Sequence, residues 1–169
     1  LNRIFQEFFA KQLSLKEKNI LEFGASKNSS KNFTNFIKIS QNSIINFADK
    51  IDTKEQIKED LEKNLSFTDN SIDAIILFNV LEHVYNSENA VSEIYRCLNK
   101  SGKLIGSVPF IYRVHYAPED FCRYSEQYIH KILEKNKFKN ISIKTYGYGP
   151  FTAAYSILFD YIKFIPIIN

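Results

Sequence analysis

A stretch near the middle of the chain combines a buried strand, a helix and a second strand. Ile72–Phe78 is an almost uninterrupted apolar run, typical of a strand that is covered on both faces of a parallel sheet. Asn86 or Ser87 can cap the following helix by accepting a backbone N–H bond. Gly102 can end that helix, and Leu104–Phe110 then supplies the second strand. The stretch therefore predicts a right-handed βαβ unit, in which ligands bind beyond the carboxyl ends of the strands.

The rest of the chain continues this alternation of strands and helices. The expected elements are an N-terminal amphipathic helix within 1–17, a strand at Asn19–Phe23, a loop with at most a short helix at Ser26–Gln41, a strand at Ser43–Phe47, a charged helix from Asp52 or Thr53 to about Lys63, a brief strand at Leu65–Phe67, a helix capped by Ser125, a strand at Asn140–Tyr148 and an apolar helix at 150–169. This order predicts one α/β domain over 1–169, with its core at 18–148. Its sheet is doubly wound and mostly parallel, with about six strands.

Composition limits the classes of partner and compartment. The net charge of +3, without a dense basic block, gives no reason to expect a nucleic-acid partner. Cys97 and Cys122 match neither a metal spacing nor a disulfide framework, so we expect a reducing, cytoplasmic compartment. Asp160 and Lys163 interrupt the most apolar segment, Phe151–Ile168, so we expect no membrane-spanning helix.

Acidic residues stand close to the ends of the predicted strands. Glu22 and Gly24 end the first strand, where a glycine allows a sharp turn close to a ligand, although an ordinary turn has the same pattern. Asp49, after the second strand, can accept hydrogen bonds from both hydroxyls of a ribose, although any surface Asp in a turn has the same sequence pattern. Asp60 precedes the expected third strand, and it also fits a solvated helix face. Their order along the chain is more informative than any one of them.

Several motifs resemble those of the class I S-adenosylmethionine-dependent methyltransferases. The motifs are Ile20-Leu-Glu-Phe-Gly24, Ser71-Ile-Asp-Ala-Ile-Ile, Asn79-Val-Leu-Glu-His-Val84, the run from Ala90 to Leu104, and Ser107-Val-Pro-Phe110. The sequence is most similar to the small bacterial methyltransferase-11-like branch, which methylates sugars, lipids and other small acceptors. The resemblance covers roughly residues 18–148. The segment His115–Ser125 is similar to one in bacterial members linked to surface-polysaccharide assembly.

The resemblance implies S-adenosylmethionine as methyl donor and S-adenosylhomocysteine as product. Carried over by position, the cofactor-binding residues are Glu22, Gly24, Ala25, Ser26, Asp49, Asp60, Leu61, Asn79, Val80 and Leu81. In this assignment Asp49 grips the ribose, although Ala48 could occupy that register. Asp60 and Leu61 meet the adenine, and residues 79–81 lie along the methionine portion.

The chain also departs from the family pattern. Ser26 and Asn28 stand where glycines are usual, and their Cβ atoms obstruct a close approach of backbone to ligand. The last, antiparallel strand of the family has no clear counterpart. A non-catalytic binding or scaffold module with the same fold is therefore the alternative. A nicotinamide oxidoreductase is a weaker one, because the full glycine fingerprint is missing.

The candidate catalytic residues are His83, His115, Asp120 and Arg123. The two imidazoles titrate near neutrality and could take a proton from a hydroxyl acceptor, although His83 could simply bond a loop carbonyl. Asp120 could orient His115 or act itself. Arg123 could bind an acidic or phosphorylated acceptor, or pair with an acidic residue of its own loop. We expect no metal.

The resulting expectation is a methyltransferase acting on an oxygen or nitrogen atom of a small acceptor. The resemblance favours a sugar or glycolipid precursor of surface polysaccharide as that acceptor. The apolar segment 151–168 either packs on the sheet or lies on a membrane surface as an interfacial helix.

Overall fold

A parallel five-stranded sheet organises the chain, whose computed structural model describes residues 2–51, 54, 56–116, 119–146 and 149–162. The elements are α1 (Asn2–Ala10), β1 (Ser14–Leu15), β2 (Asn19–Phe23), β3 (Lys38–Ile39), β4 (Ile44–Asp49), β5 (Ile57–Lys58), β6 (Ile72–Phe78), α2 (Ser87–Cys97), β7 (Leu98–Ser107), α3 (Glu126–Lys135) and α4 (Pro150–Ile162). Single 3₁₀ turns lie at Phe33–Asn35 and Leu81–His83. The short strands β1 and β3 form a separate parallel pair.

The strand order of the main sheet is β5-β4-β2-β6-β7, and every described pairing is parallel. The chain runs outward from β2 through β4 to β5, then returns to β6 beside β2 and continues outward to β7. The order therefore reverses between β2 and β6, where doubly wound sheets bind ligands beyond the strand ends. The predicted α/β doubly wound fold is confirmed, with five strands in the sheet where about six were expected.

Alternating side chains of the strands build one core on each face of the sheet. The α2 and α3 face contains Leu21, Phe23, Ile75, Leu77, Ala90, Ile94 and Cys97. The α1 face contains Ala10, Ile20, Phe33, Ile37, Ala74, Ile76 and Phe78. Because successive side chains of a strand point to opposite faces, the apolar run of β6 fills both cores at once.

The segment between β4 and β6 differs from its prediction. The charged helix expected up to Lys63 is wrong, because Ile57–Lys58 is the edge strand β5, paired with residues 48–49 of β4. The proposed helix start at Asp52 or Thr53 lies outside the described residues. The brief strand expected at Leu65–Phe67 is a loop. Pairing with the open edge of β4 outweighs the helical propensity of a charged stretch.

The ends of α2 and β7 correct two further predictions. Asn86 caps α2 as expected, with its side-chain oxygen 3.1 Å from the backbone nitrogen that donates to it. The helix ends at Cys97, so Gly102 does not end it and lies inside β7. A register shift lets β7 begin directly after α2, and the strand ends at Ser107 instead of Phe110.

The C-terminal part contains two helices and no further paired strand among its described residues. Ser125 caps α3 as expected, accepting the Tyr128 N–H at 3.2 Å. The strand expected at Asn140–Tyr148 is wrong over the described residues 140–146. The apolar helix is confirmed as α4, and its Phe151 is 89% exposed. None of the described helices combines the length and apolar character needed to cross a membrane.

Candidate active site

The turn after β2 is built on Gly24, which has a φ of +69°. Its N–H donates to the carbonyl of Ala48 at 2.9 Å, so the turn lies beside the end of β4. A Cβ atom at this position would lie 2.7 Å from Cγ2 of Val80, which is closer than such atoms come. The two predicted cofactor segments, after β2 and after β6, are therefore in contact.

Glu22 shapes the loop that follows this turn. Its carboxylate is 2% exposed and accepts the backbone N–H groups of Phe33 at 2.6 Å and Thr34 at 3.0 Å. The Thr34 hydroxyl donates a third bond at 2.7 Å. Burial raises the pKa of Glu22 above its ordinary value, against the effect of these bonds. Because both oxygens accept bonds from Phe33 and Thr34, Glu22 positions the loop.

The loop after Gly24 is held by its own polar groups. Ala25 is 6% exposed, and the Ser26 carbonyl accepts the Asn32 side-chain N–H at 2.7 Å. Further along, the chain forms the 3₁₀ turn Phe33–Asn35. Ser26 and Asn28, which stand where glycines were expected, therefore lie in an irregular loop.

Two acidic residues lie at the ends of neighbouring strands, as a nucleoside site requires. Ala48 is fully buried, so Asp49 is the residue whose side chain is available at the end of β4. One Asp49 oxygen accepts the Ile51 N–H at 3.1 Å. Asp60 follows β5, where one of its oxygens accepts a loop N–H at 3.1 Å, and Leu61 beside it is 5% exposed. Because β5 ends before Asp60, both carboxylates lie at the same edge of the sheet.

The end of β6 is covered by α1. Asn79 has a φ of +53°, and its backbone N–H donates to the Ser107 carbonyl at 2.9 Å. The Gln6 amide donates to the Asn79 side-chain oxygen at 2.6 Å and to the Ser107 hydroxyl at 2.8 Å. The Asn79 amide donates back to Gln6 at 3.0 Å. A side chain of the N-terminal helix therefore occupies the edge between β6 and β7.

Glu82 is a site residue that the sequence prediction missed. It is fully buried in the 3₁₀ turn after β6, and neither carboxylate oxygen accepts a hydrogen bond from any described residue. Burial raises the pKa of Glu82 to about 7. Its Oε1 lies 3.8 Å from Nε2 of His83. The signal was an acidic residue placed between Leu81 and His83, directly after a strongly apolar strand.

The two predicted histidines meet beside Glu82. The ring centroids of His83 and His115 are 4.9 Å apart, edge to face. Nδ1 of His83 forms a hydrogen bond with the backbone carbonyl of Glu119. A bond to a loop carbonyl was one of the two roles predicted for His83. Burial lowers the pKa of His115, although Asp120 opposes that shift.

Asp120 and Arg123 form the support behind His115. The Asp120 Oδ2 atom accepts the His115 N–H at 2.8 Å and lies 3.3 Å from Nδ1 of that ring. The Arg123 guanidinium contacts both Asp120 oxygens, with Nη2 donating to Oδ2 at 2.7 Å, and holds the pKa of Asp120 well below its usual range. Arg123 also donates to the Arg113 carbonyl at 3.0 Å. Its contacts are therefore those of a structural partner of Asp120.

One ion pair joins this cluster to the end of β4, where Asp49 lies. The Lys50 ammonium, next to Asp49, lies 3.7 Å from the carboxylate of Glu119, whose carbonyl bonds His83. The Tyr124 hydroxyl donates to the Leu81 carbonyl at 3.1 Å and holds the same loop against the turn after β6. A cavity of about 350 Å³ lies elsewhere, at the starts of β2 and β6.

Comparisons with known proteins agree on the fold. Residues 25–106 match the family model described as a methyltransferase domain. A SAM-dependent methyltransferase from Aquifex aeolicus is 17% identical, with a TM-score of 0.59 and 78% coverage of each chain. Phosphoethanolamine N-methyltransferase 2 from Haemonchus contortus, solved with S-adenosyl-L-methionine, is 14% identical, with a TM-score of 0.62 and coverage of 85% of this chain and 39% of its own.

A SAM-dependent methyltransferase from Thermotoga maritima is 17% identical, with a TM-score of 0.57 and coverage of 82% of this chain and 72% of its own. At these identities the likeness shows a shared fold. No curated protein matches the chain.

Proposed function

We propose that the chain transfers a methyl group from S-adenosylmethionine to a small acceptor. It has the fold and the domain match of the class I S-adenosylmethionine-dependent methyltransferases, as its motifs predicted. One observation carries the proposal: Gly24, Asp49, Asp60 and Asn79 lie at the ends of four neighbouring strands, around the point where strand order reverses. S-adenosylhomocysteine is the second product.

The residues at this edge suit the parts of the donor. Asp49 has a carboxylate oxygen with no described hydrogen bond, and it can accept ribose hydroxyls. Asp60 at the end of the next strand suits the adenine. Because Gly24 has no Cβ atom, which would lie 2.7 Å from Cγ2 of Val80, the turn after β2 can lie directly against the segment after β6. When bound, the donor supplies a methyl group already activated by its sulfonium sulfur.

Protein groups then have to orient the acceptor and handle its proton. Orientation in the site contributes about 7–11 kcal/mol to such reactions, and a positioned base contributes roughly 10²–10⁴-fold. His83 and His115 are the candidate bases for a hydroxyl acceptor. The lowered pKa of His115 keeps its ring neutral at physiological pH, as a proton acceptor must be.

The acceptor is proposed to be a sugar or glycolipid precursor of surface polysaccharide. Large apolar side chains flank the histidine cluster and are well exposed: Phe110 by 59%, Val114 by 61% and Tyr116 by 80%. Such side chains suit an acceptor with an apolar part. A screen of nucleotide sugars with radiolabelled donor tests this class, and label transfer to none of them would contradict it.

Calorimetry tests the donor. We expect S-adenosylmethionine and S-adenosylhomocysteine to bind the full chain, and NAD not to bind. Asp49→Asn should weaken both sulfur compounds about tenfold, by loss of a charged hydrogen bond. The matched control Asp69→Asn changes an acid beside Arg96, away from this edge, and should leave affinity unchanged. Equal affinity of the Asp49→Asn chain would contradict the assigned role.

The bonds of Gln6 favour a second candidate, a scaffold module that has kept the fold without turnover. Its amide occupies Asn79 and Ser107 at the edge where the methionine portion is assigned. The Gln6→Ala variant distinguishes the enzyme from the scaffold module. Donor binding that is unchanged or tighter in this variant agrees with an enzyme. Failure of both chains to bind either sulfur compound at millimolar concentration would establish the scaffold.

A cytoplasmic location with peripheral membrane contact through 151–168 is also proposed. On α4, the exposed Phe151, Ile157 and Leu158 support such contact. Co-sedimentation with liposomes tests it, and a chain truncated after Gly149 should lose binding. Equal binding by both chains would remove the proposal.

A further inference from the structure

We propose that Glu82, His83 and His115 form a binding site for one divalent first-row transition-metal ion, with zinc as the probe. One potential ligand atom from each of these residues lies within 4.8 Å of the other two. The sequence prediction included no metal. Two of the three residues were expected only as candidate bases, and the third was not selected at all.

The spacing is close to that of a coordination sphere. Ligand atoms at about 2.1 Å around one tetrahedral ion lie roughly 3.4 Å apart. Oε1 of Glu82 and Nε2 of His83 are already 3.8 Å apart. His115 stands edge to face against His83, and its ligand atom lies within 4.8 Å of the other two.

The unpaired carboxylate of Glu82 is the independent sign of a ligand. A buried carboxylate normally has hydrogen-bond donors or a cation beside it. Glu82 is fully buried, and no described residue donates to either oxygen. The nearest guanidinium, that of Arg123, already contacts both oxygens of Asp120. A bound cation would supply the missing partner.

The His83 ring is held as the ring of a metal-ligating histidine usually is. A coordinating histidine typically gives its second ring nitrogen to a carbonyl or carboxylate. Nδ1 of His83 bonds the Glu119 carbonyl, which leaves Nε2 directed toward Glu82. Nδ1 of His115 makes no hydrogen bond to a described residue, and it lies 3.3 Å from the Asp120 carboxylate, which Arg123 fixes in turn.

The donor set selects the class of ion. Imidazole nitrogens suit zinc and other late first-row metals, whereas magnesium and calcium prefer all-oxygen sites. Three protein ligands leave a position open, as in catalytic zinc sites.

One consequence rests on the proposed function: with both imidazoles bound to the ion, the ion would take over the part of the candidate bases. An acceptor hydroxyl bound at the open position would lose its proton to water more readily. The oxygen would then attack the methyl carbon as the carbon–sulfur bond breaks, and that bond's electron pair would stay on sulfur in S-adenosylhomocysteine.

The test is metal binding by the full, tag-free chain after treatment with a chelator. Calorimetry with zinc should give one equivalent per chain, and cobalt should give the visible spectrum of a four- or five-coordinate nitrogen–oxygen site. Glu82→Gln and His115→Ala should each weaken zinc binding at least about 100-fold. His130→Ala is the matched control, because His130 is the third of the chain's three histidines and lies half-exposed on α3 beside Glu134.

The outcomes are decisive in both directions. Absence of zinc binding, equal binding by Glu82→Gln, or an equal loss in His130→Ala would overturn the site. Thiolate charge-transfer bands in the cobalt spectrum would also overturn it. Circular dichroism checks that each variant is folded. If Glu82→Gln does not fold, His115→Ala provides the test, because His115 lies in an irregular segment. Zinc binding without S-adenosylmethionine binding would refute the methyl donor alone, and the converse would refute the metal alone.

Discussion

Gly24→Ala tests the turn on which the proposed cofactor edge depends. A φ of +69° costs an L-residue with a Cβ atom about 1–2 kcal/mol. The new methyl would lie 2.7 Å from Cγ2 of Val80, and overpacking of this kind costs about 1–3 kcal/mol. We therefore expect Gly24→Ala to lower the free energy of unfolding by about 2–5 kcal/mol, unless the segment after β6 moves away.

A double-mutant cycle with Val80→Ala separates the two causes. Removing Cγ2 should relieve the contact and leave the backbone cost. Gly24→Ala with Val80→Ala should then be about 1–3 kcal/mol more stable than the sum of the single changes. Urea unfolding followed by circular dichroism measures this, since the chain has no tryptophan. A single variant within about 0.5 kcal/mol of the parent would refute the turn argument. Strict additivity would refute the contact.

Three further changes test the supports around the sheet. Glu93 has a pKa held below its ordinary 4.5, chiefly by side-chain bonds from Arg96. Folding therefore favours the ionised form of the Glu93 side chain. The stability that it contributes is present above pH 4.5 and is lost as the pH falls through the lowered pKa. Glu93→Gln should lower urea stability by about 1–2 kcal/mol at neutral pH, and that difference should shrink on acidification; a constant difference would contradict the assignment. Tyr124→Phe should cost about 0.5–1.5 kcal/mol in thermal unfolding, because the Leu81 carbonyl loses one donor and keeps the Val84 N–H; an unchanged melting temperature would argue against that bond. Gly106→Ala should prevent soluble folding, since its Cβ would meet a backbone carbonyl of the adjacent strand, and a folded variant would show that β7 can move.

Much of the architecture could be predicted because its signals are local. The apolar run of β6, the cap at Asn86 and the cap at Ser125 each depend on a few neighbouring residues. The segment 57–67 could not be predicted in the same way. Its charged residues suit a solvated helix, but Ile57–Lys58 pairs instead with β4, which offers an open edge because its other edge is paired with β2.

The same distinction between local signals and contacts made on folding applies to the residues of the candidate site. Asp49 and Asp60 could be proposed from their order along the chain, because parallel strands bring their carboxyl ends to one edge. Gln6 could not, since its bonds to Asn79 and Ser107 join residues far apart in sequence. Nor could the state of Glu82, whose burial and lack of described donors depend on the loop that carries His115 and packs over it.

The sequence alone determined the central βαβ unit, the caps of α2 and α3, the family resemblance and the residues placed near strand ends, because periodicity, caps and motifs are encoded in neighbouring positions. The tertiary structure alone decided the edge strand, the cover of α1 over β6, and the meeting of Glu82 with His83 and His115. Those features depend on which groups are removed from water and which partners they find there, and burial of that kind is a property of the whole fold.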